Sequence, residues 1–596
     1  MAQGADPREV YTERLAKRQA TLESLELRRL RLGNLRLLVS LGIGAAAWLA
    51  WQGRASVWWI LFPLLGFAAL VAQQSRLERQ AKFARRGIRF YEQGLARIGN
   101  RWQGLGETGE RFLDAHHPYA ADLDIFGRGS LFELLSTART RGGEAKLAAW
   151  LSAPASLADL RLRQEAVDEL RPLLDLREQI AVLGDDYRTG VHPDHLIAWA
   201  ETSAQPFTRG ERRMAFALSV IQAVFLVWWF ATQFVGLQAE IGVLVVGLLE
   251  GAFTLRFRDR ILAVLHSVHD ASHDLDLLSQ ILAVLEKQNF RSGRLAKLRE
   301  AIGVQGKPAS ANIARLRRWM ELLDSRDNVF VRIFGPPLLW GTQIAMAVEN
   351  WRAAQGPLVR GWLDAVSEIE ALSSLANYAW EHPADPWPIL AEARSLEGEE
   401  LGHPLLADER CVRNSVTLGD PLRLMVVSGS NMSGKSTLLR AVGINAVLAL
   451  AGAPVRAKRL RISLLSVGAS IRTMDSLEEG HSRFMAEILR LKQILELPAP
   501  ALFLLDELLG GTNSHDRAIG AEGLIHGLLE RGAIGITTTH DLSLARVADQ
   551  LGAAAINVHF EDRLEGGRLV FDYRMRPGVV SRSNALDLMR AVGLNV

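Results

Sequence analysis

The sequence predicts an α/β domain in the last third of the chain, preceded by an all-α region that contains two apolar helical hairpins. The first observation is the apolar stretch LMVVS, which leads into a glycine-containing loop and then a helical pattern. The second is a set of apolar runs that occur in pairs, each pair joined by a short loop. At 596 residues the chain is also too long for one core, so several domains are expected.

Composition sets few limits on function. Lys and Arg together number 69 and Asp and Glu 66, and this near balance neither favours nor excludes nucleic acid as a partner. The single cysteine, Cys411, excludes an intrachain disulfide and fits a reducing compartment. Both charge signs occur near the N-terminus without an apolar centre, which predicts a cytosolic helix over residues 1–36 rather than a cleaved signal peptide.

The first apolar pair predicts a transmembrane hairpin over residues 37–72. Its two runs, 37–51 and 55–72, contain no charged residue, and each approaches the roughly 20 apolar residues that span a bilayer. Arginines crowd both outer ends of the pair and tryptophans gather near the short loop, so both ends are expected on the cytosolic side. A buried core hairpin is the alternative. A juxtamembrane helical linker is expected over 73–117.

The second apolar pair predicts another transmembrane hairpin, over residues 213–257. Its runs are 214–232 and 241–255, arginines lie at its outer ends, and the loop between the runs contains no Lys or Arg. The second limb is short and contains Glu250, so an interfacial amphipathic helix stays open as the alternative. Four spans would place both termini and the C-terminal domain on the cytoplasmic side of a bacterial-type inner membrane.

The stretch GSNMSGKST has the spacing of a phosphate-binding loop. Gly429 and Gly434 permit tight turns that aim backbone N–H groups at phosphate, and Lys435 adds a positive charge for the outer phosphates. Ser436 is the expected magnesium ligand in this loop. The nucleotide-binding residues predicted here are Gly429, Ser430, Asn431, Met432, Ser433, Gly434, Lys435, Ser436 and Thr437.

A second apolar strand, ALFLLDE, ends in two carboxylates. Asp506 is expected to hold magnesium together with Ser436, and Glu507 to act as general base toward water. A third strand, GITTTHD, ends at His540, which is expected to sense the γ-phosphate, with a purely structural histidine as the alternative. The predicted catalytic residues are therefore Glu507, His540 and Lys435.

Four motifs in order, GSNMSGKST, GHSRFMAEI, LLDELLGGTNSHD and TTHD, closely resemble the ATPase domain of the MutS family of DNA mismatch-repair proteins. The resemblance covers the chain from about residue 400 to its end. It implies an ABC-like P-loop ATPase domain over residues 399–596, and it implies magnesium-dependent hydrolysis with ATP and Mg²⁺ as cofactors.

The same resemblance assigns further residues to the nucleotide. Ser482 is similar to the serine that reaches the γ-phosphate of the opposite subunit, which implies a homodimer with two composite sites. Asp516 lies in a loop similar to the one that passes the nucleotide state across the dimer. Asn414 lies in a segment similar to the one that borders adenine in the family. Tyr573, Cys411 and Val412 are candidates to flank the base, with plain packing as the alternative.

Upstream, the segment from DIFGRGSLFELL to AVDEL resembles the helical core domain of the family. A helical core over residues 118–212 and lever and core helices over 258–398 are therefore expected. The mismatch-reading and connector domains have no counterpart. The stretch RFYEQG contains Phe90, Tyr91 and Glu92 in an order similar to the mismatch-reading motif, but it follows a predicted span without a domain to hold it, and we interpret it as a decoy.

These features predict a membrane-anchored MutS-like ATPase that couples its nucleotide cycle to lever movement, on mismatched, branched or damaged DNA. An ABC-type transporter is one alternative, although its Leu-Ser-Gly-Gly signature is absent. A membrane-tethered ATPase scaffold without DNA is the other. The basic stretch 287–318 could bind phosphates nonspecifically, but a solvated helix face explains it as well.

Overall fold

The structure is a computed structural model, and it forms two compact units. The first contains Met1–Thr137, Ala145–Glu178 and Ala371–Val596, and the second Ala138–Glu144 and Gln179–Glu370. The structure describes residues 6–54, 56–184, 193–232, 237–304, 307–324, 335–430, 432–472, 483–510, 512–540, 542–565 and 568–580.

Two long helices begin the first unit, α1 (Pro7–Trp51) and α2 (Leu61–Ile98), joined through a short 3-10 turn. Asp6 starts α1 because its carboxylate accepts the backbone N–H of Arg8 at 3.0 Å. The predicted cytosolic helix and the first apolar limb are thus one continuous helix, since no glycine pair or proline interrupts the pattern between them.

The helices that follow range in length from 5 residues, in the first, to 42 residues, in the last. They are α3 (Leu131–Leu135), α4 (Arg141–Ser152), α5 (Leu157–Leu170), α6 (Leu174–Gly184), α7 (Pro193–Glu201), α8 (Arg209–Ala231), α9 (Leu237–Arg256), α10 (Arg258–Glu286), α11 (Gly293–Ile302), α12 (Ala309–Asp324) and α13 (Trp340–Glu381). Two short strands, β1 (Gly303–Val304) and β2 (Lys307–Pro308), pair between α11 and α12.

Among the described residues, four helical segments are long and apolar enough to cross a membrane. They are Pro7–Trp51, Trp58–Ile98, Arg209–Ala231 and Leu237–Arg256. Their apolar side chains point outward in the isolated chain, with Trp51 86% and Trp58 76% exposed. Exposed aromatic surface of this extent is unusual for a water-facing helix.

A cluster of buried polar side chains connects α1 and α2 at the end away from the apolar runs. We call Tyr11, Arg97 and Glu381 the hairpin base. The Arg97 guanidinium donates to both Glu381 carboxylate oxygens, at 2.7 and 2.6 Å, and the Tyr11 hydroxyl donates to Glu381 Oε1 at 3.2 Å. Burial, reinforced by the Glu381 carboxylate, raises the pKa of Tyr11, so the phenol stays a neutral donor.

Close approach of the two helices at this cluster requires Gly94. A Cβ built on Gly94 would lie 2.4 Å from Cε2 of Tyr11, which no side chain could accept without moving the ring. Nearby, Phe90 and Tyr91 are buried, and the Tyr91 hydroxyl donates to Glu178 Oε2 at 2.8 Å. These aromatic rings are therefore packing residues, as the decoy interpretation of RFYEQG expects.

The basic stretch 287–318 lies on α11, α12 and the segment between α10 and α11 in the second unit. Two of its arginines are engaged with carboxylates: Arg294 pairs with Glu368, and Arg317 with Glu321 at 3.0 Å. Part of this positive charge is thus neutralised within the chain, which favours the solvated-face interpretation over a free phosphate-binding surface.

The C-terminal part of the first unit is an α/β domain with two sheets. Its strands are β3 (Ile389–Ala391), β4 (Ser395–Leu401), β5 (Asn414–Gly419), β6 (Leu424–Ser428), β7 (Arg459–Ser463), β8 (Ser466–Ser470), β9 (Ala501–Leu505), β10 (Ile534–Thr539), β11 (Ala555–Glu565) and β12 (Arg568–Pro577). The helices between them are α14 (Lys435–Ala451), α15 (Arg483–Leu495), α16 (Ser514–Glu530) and α17 (Leu542–Leu551).

The larger sheet has the order β12-β11-β6-β10-β9-β8, and every pair except β11 with β12 is parallel. Strands β6, β9 and β10 are buried throughout, because helices cover both faces of a parallel sheet. The smaller sheet has the order β3-β7-β4-β5. It begins at Ile389, ten residues before the predicted boundary at 399, because β3 and β4 pair with β7 from beyond the phosphate loop.

Candidate active site

The predicted nucleotide residues converge at one edge of the larger sheet. Strands β6, β10 and β9 are adjacent and parallel, so their carboxyl ends meet there. Gly429 follows β6, His540 follows β10 and Asp506 follows β9. Three segments far apart in the sequence therefore supply the loop, the histidine and the carboxylates to one place.

The loop between β6 and α14 has the backbone that a phosphate-binding loop needs. Gly429 has a φ of +152° and Gly434 a φ of +105°, both in the left-handed region that favours glycine. A Cβ on Gly434 would lie 3.1 Å from Cδ1 of Tyr573. Met432 also has a positive φ, of 69°, and its side chain is 87% exposed. Thr437 is exposed in the first turn of α14.

Lys435 begins α14 and is folded back over the loop. Its side chain is 4% exposed, and Nζ donates to the carbonyl oxygens of Gly429 and Ser430, both at 2.9 Å. The same Nζ lies 3.6 Å from Glu507 Oε1. The ammonium group thus lies between the loop carbonyls and the predicted base, at a helix N-terminus that itself favours anions.

A chain of hydrogen bonds connects the predicted magnesium ligands with the predicted base. The Ser436 hydroxyl donates to Asp506 Oδ2, and the Thr538 hydroxyl donates to Asp506 Oδ1. The backbone N–H of Glu507 donates to the same Thr538 hydroxyl at 3.1 Å. Asp506 is therefore oriented by two hydroxyl groups, and Glu507 is held beside it through its backbone.

Glu507 and His540 face each other at the rim of the site. His540 Nδ1 lies 3.7 Å from Glu507 Oε1, and both side chains are partly open to solvent. Glu507 has a left-handed φ of 48°, a conformation that is costly for a residue with a side chain and is one of the kinds of strain that cluster at active sites. The structure thus brings together all three predicted catalytic residues.

Unpaired polar atoms at the loop fit a phosphate group. Ser430 Oγ and Ser433 Oγ are buried and, among the described residues, have no hydrogen-bond partner. Buried hydroxyl groups without partners are costly unless a ligand completes them. In the described part of the chain no three His, Cys, Asp or Glu side chains gather as a metal site. Magnesium would therefore rest on Ser436 and Asp506 together with phosphate oxygens, as it commonly does.

The predicted adenine-side residues lie near the loop. Asn414 is the first residue of β5, and its side chain joins this strand to β12. The side-chain amide donates to the carbonyl of Tyr573 at 3.0 Å, and Oδ1 accepts the N–H of Met575 at 2.8 Å. The Tyr573 ring lies over Gly434 and stacks on Phe571 at 5.9 Å. Asn414 thus positions the strand that carries Tyr573.

The other two candidates to flank adenine, Cys411 and Val412, lie just before β5. Cys411 Sγ accepts the N–H of His403 at 3.2 Å, and Val412 is largely exposed. Burial, with the positive charge of Arg440 added, lowers the pKa of His403 to about 4, so this imidazole is neutral at physiological pH. Its Nδ1 accepts the N–H of Leu405 at 3.2 Å, which gives His403 a structural role in the segment between β4 and β5.

Asp516 belongs to a helix cap. Asn513 begins α16, and its side chain accepts the N–H of Asp516 at 2.9 Å and donates to the Asp516 carboxylate at 2.7 Å. Arg517 holds the preceding loop by donating to the carbonyls of Leu509 and Thr512, at 3.2 and 3.1 Å. Two predicted residues, Asn431 and Ser482, lie outside the described residues.

Sequence reasoning missed residues that support the site from a distance. The Asp122 carboxylate accepts the backbone N–H groups of Ile471 and Arg472, at 2.7 and 2.8 Å, and burial raises the pKa of this carboxyl group. Asp124 pairs with Arg472 and, at 3.3 Å, with Arg440 on α14. The two aspartates of AADLDIF are visible in the sequence, but their spacing alone does not indicate which loop they would contact.

Comparison with known proteins points to one family. The family model described as MutS domain V matches residues 425–595. The chain is 31% identical over 247 residues to the DNA mismatch repair protein MSH3 of Phaeosphaeria nodorum, covering 40% of this chain and 22% of that protein. It is 30% identical over 236 residues to the DNA mismatch repair protein MutS of Shouchella clausii, covering 38% and 27%.

A third relative is the Endonuclease MutS2 of Thermus thermophilus, 34% identical over 194 residues, or 32% of this chain and 25% of that protein. The chain thus spans about a quarter of the length of these curated relatives. The matched domain contains the phosphate loop, the Asp506–Glu507 pair and His540, in the arrangement described above. The C-terminal part of the chain, residues 425–595, is therefore similar to domain V of the MutS family.

Proposed function

We propose that the protein is a membrane-anchored ATPase in which nucleotide binding and hydrolysis in a composite dimer site move the attached helices, with DNA as the partner. The observation that carries the ATPase part is the hydrogen-bond chain from Ser436 through Asp506 to Thr538, with Glu507 beside Lys435 and His540. Those contacts support the proposal, because they bring the proposed base, an ammonium group and the proposed magnesium ligands together at one phosphate loop.

Each residue has a defined task in this proposal. Bound ATP and Mg²⁺ supply the phosphoanhydride bond and the neutralisation of its charge. Glu507 accepts a proton from the attacking water, and His540, whose Nδ1 lies 3.7 Å from the Glu507 carboxylate, senses the γ-phosphate. On ATP binding, the Lys435 ammonium donates to phosphate oxygens in place of the loop carbonyls. The hydroxyl groups of Ser430 and Ser433 then donate to phosphate as well. Ser482 of a second subunit would complete the site.

The membrane part of the proposal predicts a defined topology. In a Cys411→Ser background, cysteine is introduced either at Arg54, in the exposed loop between the apolar limbs, or at Glu23, on the cytosolic part of α1. A membrane-impermeant maleimide should label Arg54→Cys in intact bacterial spheroplasts and Glu23→Cys only after lysis, because arginines retain both outer ends of the hairpin inside. Equal labelling of the two positions before lysis would contradict the spans.

The DNA part of the proposal draws on the names of the relatives, two of which are DNA mismatch repair proteins. We expect the protein in lipid nanodiscs to bind mismatched or four-way-junction DNA, with a binding constant whose logarithm falls linearly with the logarithm of salt concentration. Fluorescence anisotropy with homoduplex, mismatched and branched probes, with and without ATP, measures this. No binding at low salt would leave an ATPase that acts on protein partners at the membrane.

A further inference from the structure

A cavity of about 910 Å³ lies within the second unit. It is lined by α8, α9, the start of α10, the turn over Pro336–Leu338 and the start of α13. The volume is within the range of pockets that hold drug-sized molecules. Most of the lining is apolar, from leucine, isoleucine, proline and tryptophan side chains.

One charged side chain lines the described cavity, and it lacks a partner. Glu250 of α9 is 3% exposed, and among the described residues its Oε1 has no hydrogen-bond partner. Gln222 of α8 is equally buried; its amide N donates to the carbonyl of Val243 at 3.3 Å, while its Oε1 has no partner. Two buried acceptor oxygens on residues that line one mostly apolar cavity are costly to leave unpaired, which points to a missing donor.

The turn over Pro336–Leu338, which borders the cavity, is held by polar contacts. The Ser219 hydroxyl donates to the carbonyl of Leu338 at 2.9 Å, and the Gln343 amide donates to Ser219 Oγ and Leu338 O at 2.8 and 3.1 Å. These bonds fix the turn before α13 against α8. One border of the cavity is therefore fixed by hydrogen bonds.

Glycine keeps the cavity wide. A Cβ built on Gly251 of α9 or on Gly341 of α13 would meet no atom within 4 Å, although both residues line the cavity. A Cβ is therefore accommodated at both positions, and a larger residue at Gly251 tests whether the space there belongs to the site.

We propose that this cavity binds an amphipathic organic cation, a molecule with an apolar body and one protonated amine. The apolar body would occupy the space beside Trp340 and Leu255, and the amine would donate to Oε1 of Glu250 and of Gln222. A single carboxylate matches a single positive charge, and a charge-assisted hydrogen bond in an apolar cavity is stronger than one in water. This site is separate from the nucleotide site, so the proposal does not depend on ATP hydrolysis.

Rhodamine 6G, an apolar dye with one positive charge and N–H donors, is a suitable probe. We expect it to bind the full chain in phosphatidylcholine nanodiscs above the signal of empty nanodiscs, measured by fluorescence anisotropy. Glu250→Gln should raise its Kd at least about tenfold, because the substitution removes the charge and preserves the shape. Fluorescein ethyl ester, which has the same ring frame and no positive charge, should bind weakly to both proteins.

A second variant tests the volume, and a third is the matched control. Gly251→Leu should also raise the Kd at least about tenfold by filling the cavity. Glu240→Gln removes a carboxylate from the exposed first turn of the same helix and should change the Kd by less than about twofold. Circular dichroism and gel filtration in nanodiscs verify that each variant is folded. Dye binding that is equal in the wild type, Glu250→Gln and Gly251→Leu would overturn the proposal, as would no binding above empty nanodiscs.

The natural amine could be a soluble molecule or a lipid headgroup, and one further arm distinguishes them. If phosphatidylethanolamine in the nanodisc raises the Kd of the dye for the wild type but not for Glu250→Gln, the lipid amine competes for the cavity. If the Kd is the same in both lipid compositions, the cavity prefers a soluble amine. Either result, together with the loss of affinity in Glu250→Gln, supports binding of an organic cation at Glu250 and assigns its source.

Discussion

Replacing Glu507 by glutamine is expected to lower the rate of magnesium-dependent ATP hydrolysis by about 10²–10⁴-fold, the usual contribution of a positioned general base. The carboxylate is the proposed proton acceptor, and glutamine has nearly the same shape without a basic oxygen. ATP binding should persist, because the phosphate loop and Lys435 are unchanged. Phosphate release and nucleotide-binding assays on the purified chain in nanodiscs measure the two effects separately.

The geometry makes this variant more informative than one at the loop. Glu507 is held through its backbone N–H, which donates to Thr538 at 3.1 Å, so the amide side chain should not displace the main chain. Lys435, in contrast, bonds two loop carbonyls, and its removal would disturb binding and structure together.

Glu530→Gln is the matched control, because Glu530 is an exposed carboxylate at the end of α16 in the same domain. Its hydrolysis rate should equal that of the wild type. A Glu507→Gln protein that hydrolyses ATP at the wild-type rate would exclude Glu507 as the base. Loss of ATP binding in that variant would instead assign the residue a structural role.

The nucleotide site was largely predictable from the sequence because its chemistry lies in short contiguous motifs. A strand, a glycine loop and a helix follow one another in GSNMSGKST, and the strand before Asp506 is apolar throughout. Parallel strands with buried faces then place the three motif ends at one edge. The residues predicted as catalytic are therefore the ones that the fold brings together.

The supporting contacts were not predictable, for a physical reason. Thr538 is one of three consecutive threonines, and only the pleat of β10 decides which hydroxyl reaches Asp506. Asp122 meets the segment after β8 from about 350 residues earlier in the chain. The periodicity of apolar residues along the sequence predicts helices and strands, but it does not predict a contact between residues so far apart. The same holds for the hairpin base, whose members come from α1, α2 and the end of α13.

The hairpin base should be the most sensitive structural site of the first unit. Glu381→Ala is expected to lower the free energy of unfolding by about 3–5 kcal/mol, because it leaves the Arg97 guanidinium buried without its carboxylate. The Arg97 side chain is 7% exposed and that of Glu381 is fully buried, so water cannot replace the lost partner. Urea titration of the solubilised protein, followed by tryptophan fluorescence, measures the loss.

Two comparisons separate a buried charge effect from simple truncation. Arg97→Met combined with Glu381→Leu should recover most of the lost stability, because an apolar pair leaves no uncompensated charge. Glu26→Gln breaks the exposed Arg85–Glu26 pair of the same two helices, at 2.8 Å, and should cost less than about 1 kcal/mol. If Glu381→Ala is no more costly than Glu26→Gln, the cluster does not hold α1 and α2 to the end of α13. If the double variant recovers nothing, packing around Tyr11 rather than charge pairing maintains the contact.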